Sequence, residues 1–269
     1  MASVLSLPPR YIFTTFTWSS ESNMFVYTSS DALHFTLLKG PAYVPNGTLI
    51  RDPSSMKHDD GLYYMTYTTS WDGREFAIAK SSNLLDWTLH TKVPITTPDI
   101  NRTWAPEFFK DQKDGSINII VSLGVGLNAF HPYILTAKDS SLSEWSDPKL
   151  MTGVGPNYID TFLVQEGGIY HAFSKNEDTK FVEHAVADQI LGPYSFVQTG
   201  NFANWGHIEG PCVTKTPEGG YRLYADAYEG STRKYYYMNS GDLFNWTGAM
   251  ELPDGLSGFV RHGTVYRNY

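Results

Sequence analysis

The sequence predicts an all-β fold, a five-bladed β-propeller, and three observations carry the prediction. A short motif recurs about every fifty residues. Each copy is preceded by two apolar strands, with an acid-bearing strand ahead of them. One strand is missing at the start, and a surplus strand stands at the end. Composition agrees: the 269 residues are 15% aromatic and only 18% charged, which suits strands and stacking surfaces better than solvated helices.

The recurring motif joins small polar residues, a Leu or similar, and an aromatic: SSDALHFTLL, SSNLLDWTLH, DSSLSEWSDP, ADQILGPYSF and SGDLFNWTGA. Its aromatics are Phe35, Trp87, Trp145, Tyr194 and Trp246, spaced by 52, 58, 49 and 52 residues. Trp87, Trp145 and Trp246 read as blade-packing residues. Before each motif stand an apolar strand such as MFVYTS or EFAIAK and, before that, another such as YIFTTFTW or LYYMTYTT. A further strand leads the last four units: TLIRDPSSM, RTWAPEFFK, NYIDTFLVQ and HIEGPCVTK. The first unit begins almost at Tyr11 without one, while GFVRHGTVYRNY follows the completed fifth unit. Circular closure explains both facts, with the C-terminal strand completing the N-terminal blade of a single 1–269 domain. A solenoid would need capped ends, and no amphipathic helical period supports an α/β fold.

Charge and composition narrow the partners. The net charge is -8 with no basic cluster, which argues against nucleic acid. No apolar run approaches the ~20 residues of a membrane span. Cys212 stands alone, so no intrachain disulfide forms; it reads as a small buried residue. The start, MASVLSLPPRY, lacks a signal peptide's charged and apolar regions, so a mature secreted form and a cytosolic protein look alike here. Sequons at Asn46, Asn101 and Asn245 point to an extracellular protein. A monomer is expected.

The leading strands carry one conspicuous polar residue each: Asp52, Glu107, Asp160, Glu209 and His262. Their spacings of 55, 53, 49 and 53 match the blade period. Equivalent positions of a propeller converge on its axis, so four carboxyls and a histidine are expected to meet there. That gives a reason for Asp52 and Pro53 to stand in a strand, where both are disfavoured. One acid alone would more simply cap a turn or pair with an arginine. Five in register imply a site whose crowded acids have raised pKa values. Opposed carboxyls in a neutral, aromatic pocket suit glycoside hydrolysis, in which one protonates the leaving oxygen and another activates water or attacks the sugar. No G-x-S-x-G, H-E-x-x-H, Cys-based metal spacing or phosphate-binding Gly loop competes.

At these residues the sequence resembles glycoside hydrolase family 43 over nearly the whole chain, about Tyr11 to Tyr269. RDPS followed by DGLYYMTYTT looks like the family's base motif, NYIDTF like its third-blade motif and HIEGP like its acid motif. The resemblance therefore implies Asp52 as general base, Asp160 as the residue that tunes and orients the acid, and Glu209 as general acid. At mildly acidic pH, Asp52 is then expected ionised and Glu209 protonated. WAPE implies Trp104 and Glu107 near the pocket floor. RHGT implies Arg261 as a sugar ligand and His262 as support for a central metal ion, calcium, or a water; the chemistry itself needs no cofactor. Two departures are Thr161, where the family usually has Pro, and Glu107, often Asp. Related fructoside-cleaving propellers also use RDP, but in a second-blade strand; here it occupies the first acidic strand, favouring an inverting enzyme.

The implied substrate is an arabinose- or xylose-containing oligo- or polysaccharide, cleaved by an α-L-arabinofuranosidase, β-xylosidase or endo-arabinanase. A catalytically inactive glycan-binding propeller is the alternative. Trp71, in the loop TTSWDGREF, and Trp205, in NWGHIEGP, are expected to wall the pocket with Trp104. By strand alternation Arg51 and Arg261 face away from the axis unless the strand bulges or ends there.

Overall fold

A computed structural model of the protein describes residues 10–229 and 233–268. The readings on Met1–Pro9 and on Tyr269 lie outside these residues. The chain forms five four-stranded antiparallel sheets, the blades of a β-propeller, and no helix occurs among the described residues.

The first blade contains β1 (Tyr11–Thr17), β2 (Ser20–Ser29) and β3 (Thr36–Tyr43). The second runs from β4 (Arg51–Lys57) through β5 (Tyr63–Thr68) and β6 (Glu75–Ser81) to β7 (Thr88–Pro94). The third comprises β8 (Arg102–Lys110), β9 (Ile117–Gly124), β10 (His131–Thr136) and β11 (Lys149–Leu150). In the fourth stand β12 (Tyr158–Glu166), β13 (Ile169–Asn176), β14 (Val182–Ala187) and β15 (Ser195–Gln198). The fifth has β16 (Glu209–Lys215), β17 (Tyr221–Ala227), β18 (Lys234–Ser240) and β19 (Met250–Glu251). The last strand, β20 (Val260–Arg267), pairs with β1 and gives the first blade its inner strand. Ring closure is as the sequence predicts.

The fifty-residue motif is the turn between the third and fourth strands of a blade. In the second blade Ser81 Oγ accepts the Asn83 and Leu84 amides, and Asn83 Oδ1 accepts those of Leu85 and Asp86. Leu84 takes φ 68°, and the Trp87 indole closes the turn by donating to the Leu84 carbonyl at 2.9 Å. Trp145 and Trp246 repeat the bond to Leu142 and Leu243. Small polar residues thus satisfy the tight turn's amides, and the aromatic locks it while packing the blade.

Five apolar clusters, one between each pair of neighbouring blades, replace a single central core. Tyr64, Phe76 and Ile78 of the second blade meet Ile117, Ile119 and Val121 of the third. Tyr11 and Phe13 meet Cys212, Tyr224 and Tyr235 where the ring closes. Cys212 is fully buried there. The axis itself is left to polar residues.

Candidate active site

Every inner strand is kinked by a β-bulge, and the bulges build the site. In β4 the pairings Arg51↔Thr68 and Ser54↔Thr66 leave Asp52 and Pro53 opposite one partner residue. The same slip occurs at Ala105–Pro106, Asp160–Thr161 and Gly210–Pro211. In each case the first bulged residue has positive φ: Asp52 51°, Ala105 48°, Asp160 52° and Gly210 61°. A bulged residue stands outside the ladder, so the second position accepts proline without losing a hydrogen bond. This accounts for Pro53 inside a strand. Where Thr161 replaces proline, its hydroxyl instead pairs with Ser174 Oγ at 2.7 Å.

The bulges also correct the expected register. The acids do not occupy equivalent positions: only Asp52 and Asp160 are the first bulged residue of their strands. Glu209 stands one residue before its bulge at Gly210, and Glu107 two residues after Ala105. In β20 the extra residues are Arg261 and His262, opposite Phe16. Bulging likewise overturns simple alternation, because both Arg51 and Arg261 line the axial cavity. Gly210 is fixed by crowding as well as by its φ. A Cβ there would lie 2.4 Å from the His262 ring.

A second ring of residues holds these bulges. Opposite the residue preceding each bulge stands a polar side chain on the blade's second strand: Thr68, Ser122, Lys175 and Asp226. Each reaches to the next blade. Thr68 Oγ1 accepts the Ala105 amide at 2.8 Å, and Ser122 Oγ accepts the Asp160 amide at 3.1 Å. Lys175 Nζ meets Glu209 Oε2 at 2.9 Å, and Asp226 Oδ2 meets Arg261 Nε at 2.6 Å. The spacing of these four residues follows the blade period, a signal present in the sequence but hidden by attention to acids alone.

The axial cavity measures about 380 Å³ and is lined by Asp52, Asp160, Glu209, Arg51, Arg261 and His262 together with Trp71 and Trp104. Asp52 accepts Thr68 Oγ1 at 2.8 Å and lies 3.3 Å from His262 Nδ1, which is 3.7 Å from Asp160. Burial alone would raise Asp52's pKa, but the His262 and Arg51 charges outweigh it and hold the carboxyl well below the usual range. Asp160 goes the other way. Burial, and then the charges of Glu209 and Asp52, push it up to about 7 against the pull of His262 and Lys175. Its Oδ2 accepts the Gly210 amide at 3.0 Å, so it holds the peptide that carries Glu209.

Glu209 differs from the expected resting acid. One of its oxygens accepts Lys175 Nζ at 2.9 Å and the other Arg261 at 2.7 Å. Burial raises its pKa, yet the two cations more than offset this and the net direction is downward. Of the neighbouring pair Asp160 and Glu209, the proton therefore rests on Asp160, because only Glu209 has both oxygens on cations. Asp226, fully buried behind Arg261, is pushed up to about 6 by burial and by Glu209's charge, Arg261 opposing.

The remaining predicted residues divide. Trp71 is 45% exposed, stacks on the Arg51 guanidinium at 4.1 Å and donates its indole N–H to Glu21 at 3.1 Å. Trp104 packs edge-on against Trp71 and donates to its carbonyl at 2.8 Å. Glu107 lies on the far side of the His262 ring, 3.7 Å from Nε2, and accepts Thr264 Oγ1 through both oxygens. It is not on the cavity wall. Trp205 is not either: it packs in the core between the fourth and fifth blades and donates to the Thr247 carbonyl. With His207 and Glu229 it lines a separate hollow.

His262 does not fit the role of calcium support. Calcium takes 6–8 oxygen ligands in a shell of about 2.3–2.6 Å. Among the described residues no group of three or more His, Cys, Asp or Glu side chains is disposed to hold a metal ion. Burial would lower the imidazole's pKa, but Asp160 and Asp52 raise it well above the usual value. Its Nδ1 faces Asp52 and Asp160 and its Nε2 faces Glu107.

A five-bladed propeller with carboxyls from three blades on one axial cavity defines a protein of the glycoside-hydrolase type. The chain belongs to a family related to glycoside hydrolase family 43, described as a probable glycosyl hydrolase domain, whose model matches residues 9–267. Solved structures repeat the fold. An endo-1,4-β-xylanase from Bacteroides thetaiotaomicron is 13% identical with a TM-score of 0.68, covering 94% of this chain and 92% of that one. A thermostable family-43 glycoside hydrolase is 16% identical with a TM-score of 0.67 over 92% and 91%. The native arabinanase of Bacillus subtilis is 20% identical with a TM-score of 0.57 over 81% of each chain. No curated protein matches the sequence significantly.

Proposed function

We propose that the protein is an inverting glycoside hydrolase acting on arabinofuranosyl or xylosyl linkages of plant cell-wall polysaccharides, with α-L-arabinofuranosides the first substrates to test. One observation carries this reading: Asp52, Asp160 and Glu209, from three blades, share one cavity beside Trp71 and Trp104. The xylanase and arabinanase among the structural neighbours support the substrate class.

Asp52, kept ionised by His262 and Arg51, removes a proton from water. The water oxygen bonds to the anomeric carbon on the face opposite the leaving group as the glycosidic C–O bond breaks. Glu209, having taken a proton from solvent, gives it to the departing oxygen. Asp160 orients the Glu209 peptide through the Gly210 amide and, when ionised, repels Glu209's charge. Exchange with solvent then returns the proton from Asp52 and reloads Glu209.

Hydrolysis of 4-nitrophenyl α-L-arabinofuranoside or β-D-xyloside, followed by proton NMR of the first product, tests the proposal. An inverted anomer is expected. A retained anomer would make Asp52 a nucleophile. Absence of hydrolysis on both would favour a glycan-binding propeller, the reading supported by the occupation of both Glu209 oxygens by cations.

A further inference from the structure

Lys175 is 2% exposed, on β13, in the wall of the axial cavity. At the equivalent places in the second and third blades stand Thr68 and Ser122, whose hydroxyls accept the next blade's amide. A hydroxyl is enough to join those two pairs of blades, whereas Asp226 of the fifth blade does so through an ion pair with Arg261. Lys175 puts an ammonium at the fourth blade's joint, at 2.9 Å from Glu209 and 3.0 Å from Glu177, with the Tyr228 ring at 4.3 Å. Leaving such a buried charge uncompensated would cost several kcal/mol, so Lys175 must stay on at least one of its two carboxylates.

Glu209's two cations are not alike. Arg261 is clamped: Asp226 takes its Nε at 2.6 Å, and its guanidinium lies over Trp18 at 4.1 Å. Lys175 has a second acceptor already in contact, Glu177, which Lys180 also holds. A flexible stem with one point charge and two carboxylates within reach can change partner at little cost. A carboxyl with both oxygens on cations cannot keep a proton, so one contact must open before Glu209 can donate.

We propose that Lys175 is a positioning residue that decides when Glu209 can carry a proton: it pairs with Glu209 in the empty cavity and withdraws to Glu177 and the Tyr228 face when a sugar enters. The inference rests on the glycosidase reading for its purpose, but not for its electrostatics. Besides these two cations, Arg51, His262 and Lys180 are the positive groups facing the cavity, and Lys180 already holds Glu177. The negative ones nearest Glu209 are Asp160, on the fourth blade's inner strand, and Asp226, its ladder partner. Of all these groups only Lys175 touches both Glu209 and Glu177.

Two variants at opposite ends of the contact test this. Lys175→Met removes the cation at similar size, and Glu177→Gln removes its retreat. An opposite charge at this distance shifts a carboxyl by about 1–3 pH units. Glu209 should therefore titrate at least a unit higher in Lys175→Met and lower in Glu177→Gln. Carbon-13 NMR of glutamate-labelled protein reads this directly, with Glu209→Gln assigning the signal. The alkaline limb of kcat/KM on the chromogenic glycosides should move the same two ways. A lysine that never leaves Glu209 would still raise the limb in Lys175→Met but would leave it unmoved in Glu177→Gln. If Lys175→Met does not fold, Glu177→Gln alone decides, because a limb unmoved or moved upward overturns the proposal. Glu209 titrations that shift as stated in a protein that hydrolyses neither glycoside would leave the ion-pair switch standing and refute the glycosidase reading.

Discussion

Asp160→Asn keeps the side chain's shape and an oxygen for the Gly210 amide, but removes the titrating group. The Asp160 carboxyl is pushed up to about 7 in the folded protein, whereas in the unfolded chain it titrates near about 3.9. A carboxyl raised on folding binds its proton more tightly in the native state. Its contribution is fully present below about pH 4 and is lost as pH rises towards 7. Three units at about 1.4 kcal/mol each amount to roughly 4 kcal/mol, a loss the Asn variant does not suffer. Asp52 and Glu209 are held low by their ion pairs, and His262 and Asp226 are present in both proteins. The difference between variant and parent therefore reports Asp160 together with its effect on His262. Thermal unfolding of both from pH 4 to 8 should show the variant gaining on the parent by about 10 °C in Tm, at roughly 2–4 °C per kcal/mol. A Tm gap that stays constant across that range would refute a proton shared out by burial and by the charges of Glu209 and Asp52.

Other outcomes follow from the same geometry. Asp52→Ala should be nearly inactive on every glycoside, whereas Glu209→Ala should regain part of its rate on substrates with activated leaving groups, which need less protonation; steady-state rates on a leaving-group series separate the two. Gly210→Ala should lower stability by at least about 1–2 kcal/mol from its left-handed backbone alone, and by more because its Cβ meets the His262 ring at 2.4 Å; denaturant titration measures the loss. Truncation at Gly258 should abolish folding, since β1 then loses its partner β20; a well-folded truncated protein by circular dichroism would sink ring closure as the basis of the fold.

The sequence makes the blades legible because each is a local unit: a polar turn, a packing aromatic and two apolar strands recur in order. Ring closure is legible for the same reason, since one unit lacks a strand that another part of the chain supplies. The site is legible only in part. Asp52, Asp160 and Glu209 stand out as acids in strands, yet their side-chain directions depend on bulges, which residue spacing does not reveal. Aligning the segments on Asp52-Pro53, Ala105-Pro106, Asp160-Thr161 and Gly210-Pro211 would have exposed the true register. Lys175 and Asp226 escaped notice because they end second strands rather than first ones, and a single lysine in AFSKN has no local signature. Trp205 misled through its nearness to Glu209 in sequence: it stands in the loop before β16, and its ring packs into the core between the fourth and fifth blades.

Ring closure by β20 also sets a timetable for the chain as the ribosome makes it. Arg261 and His262, which hold Glu209 and Asp52, are carried by the strand that is translated last of the twenty. Until then β1, whose seven residues are all buried in the finished ring, presents an open edge of the kind that recruits foreign strands. Some 250 residues separate Tyr11 from Val260, so at about 5–20 residues per second that edge waits roughly 10–50 s for its partner. A nascent chain stalled before Val260 would carry Asp52, Asp160 and Lys175 but not the residues that close the site around them. The strand made after the other nineteen thus both seals β1 and supplies the residues that finish the site.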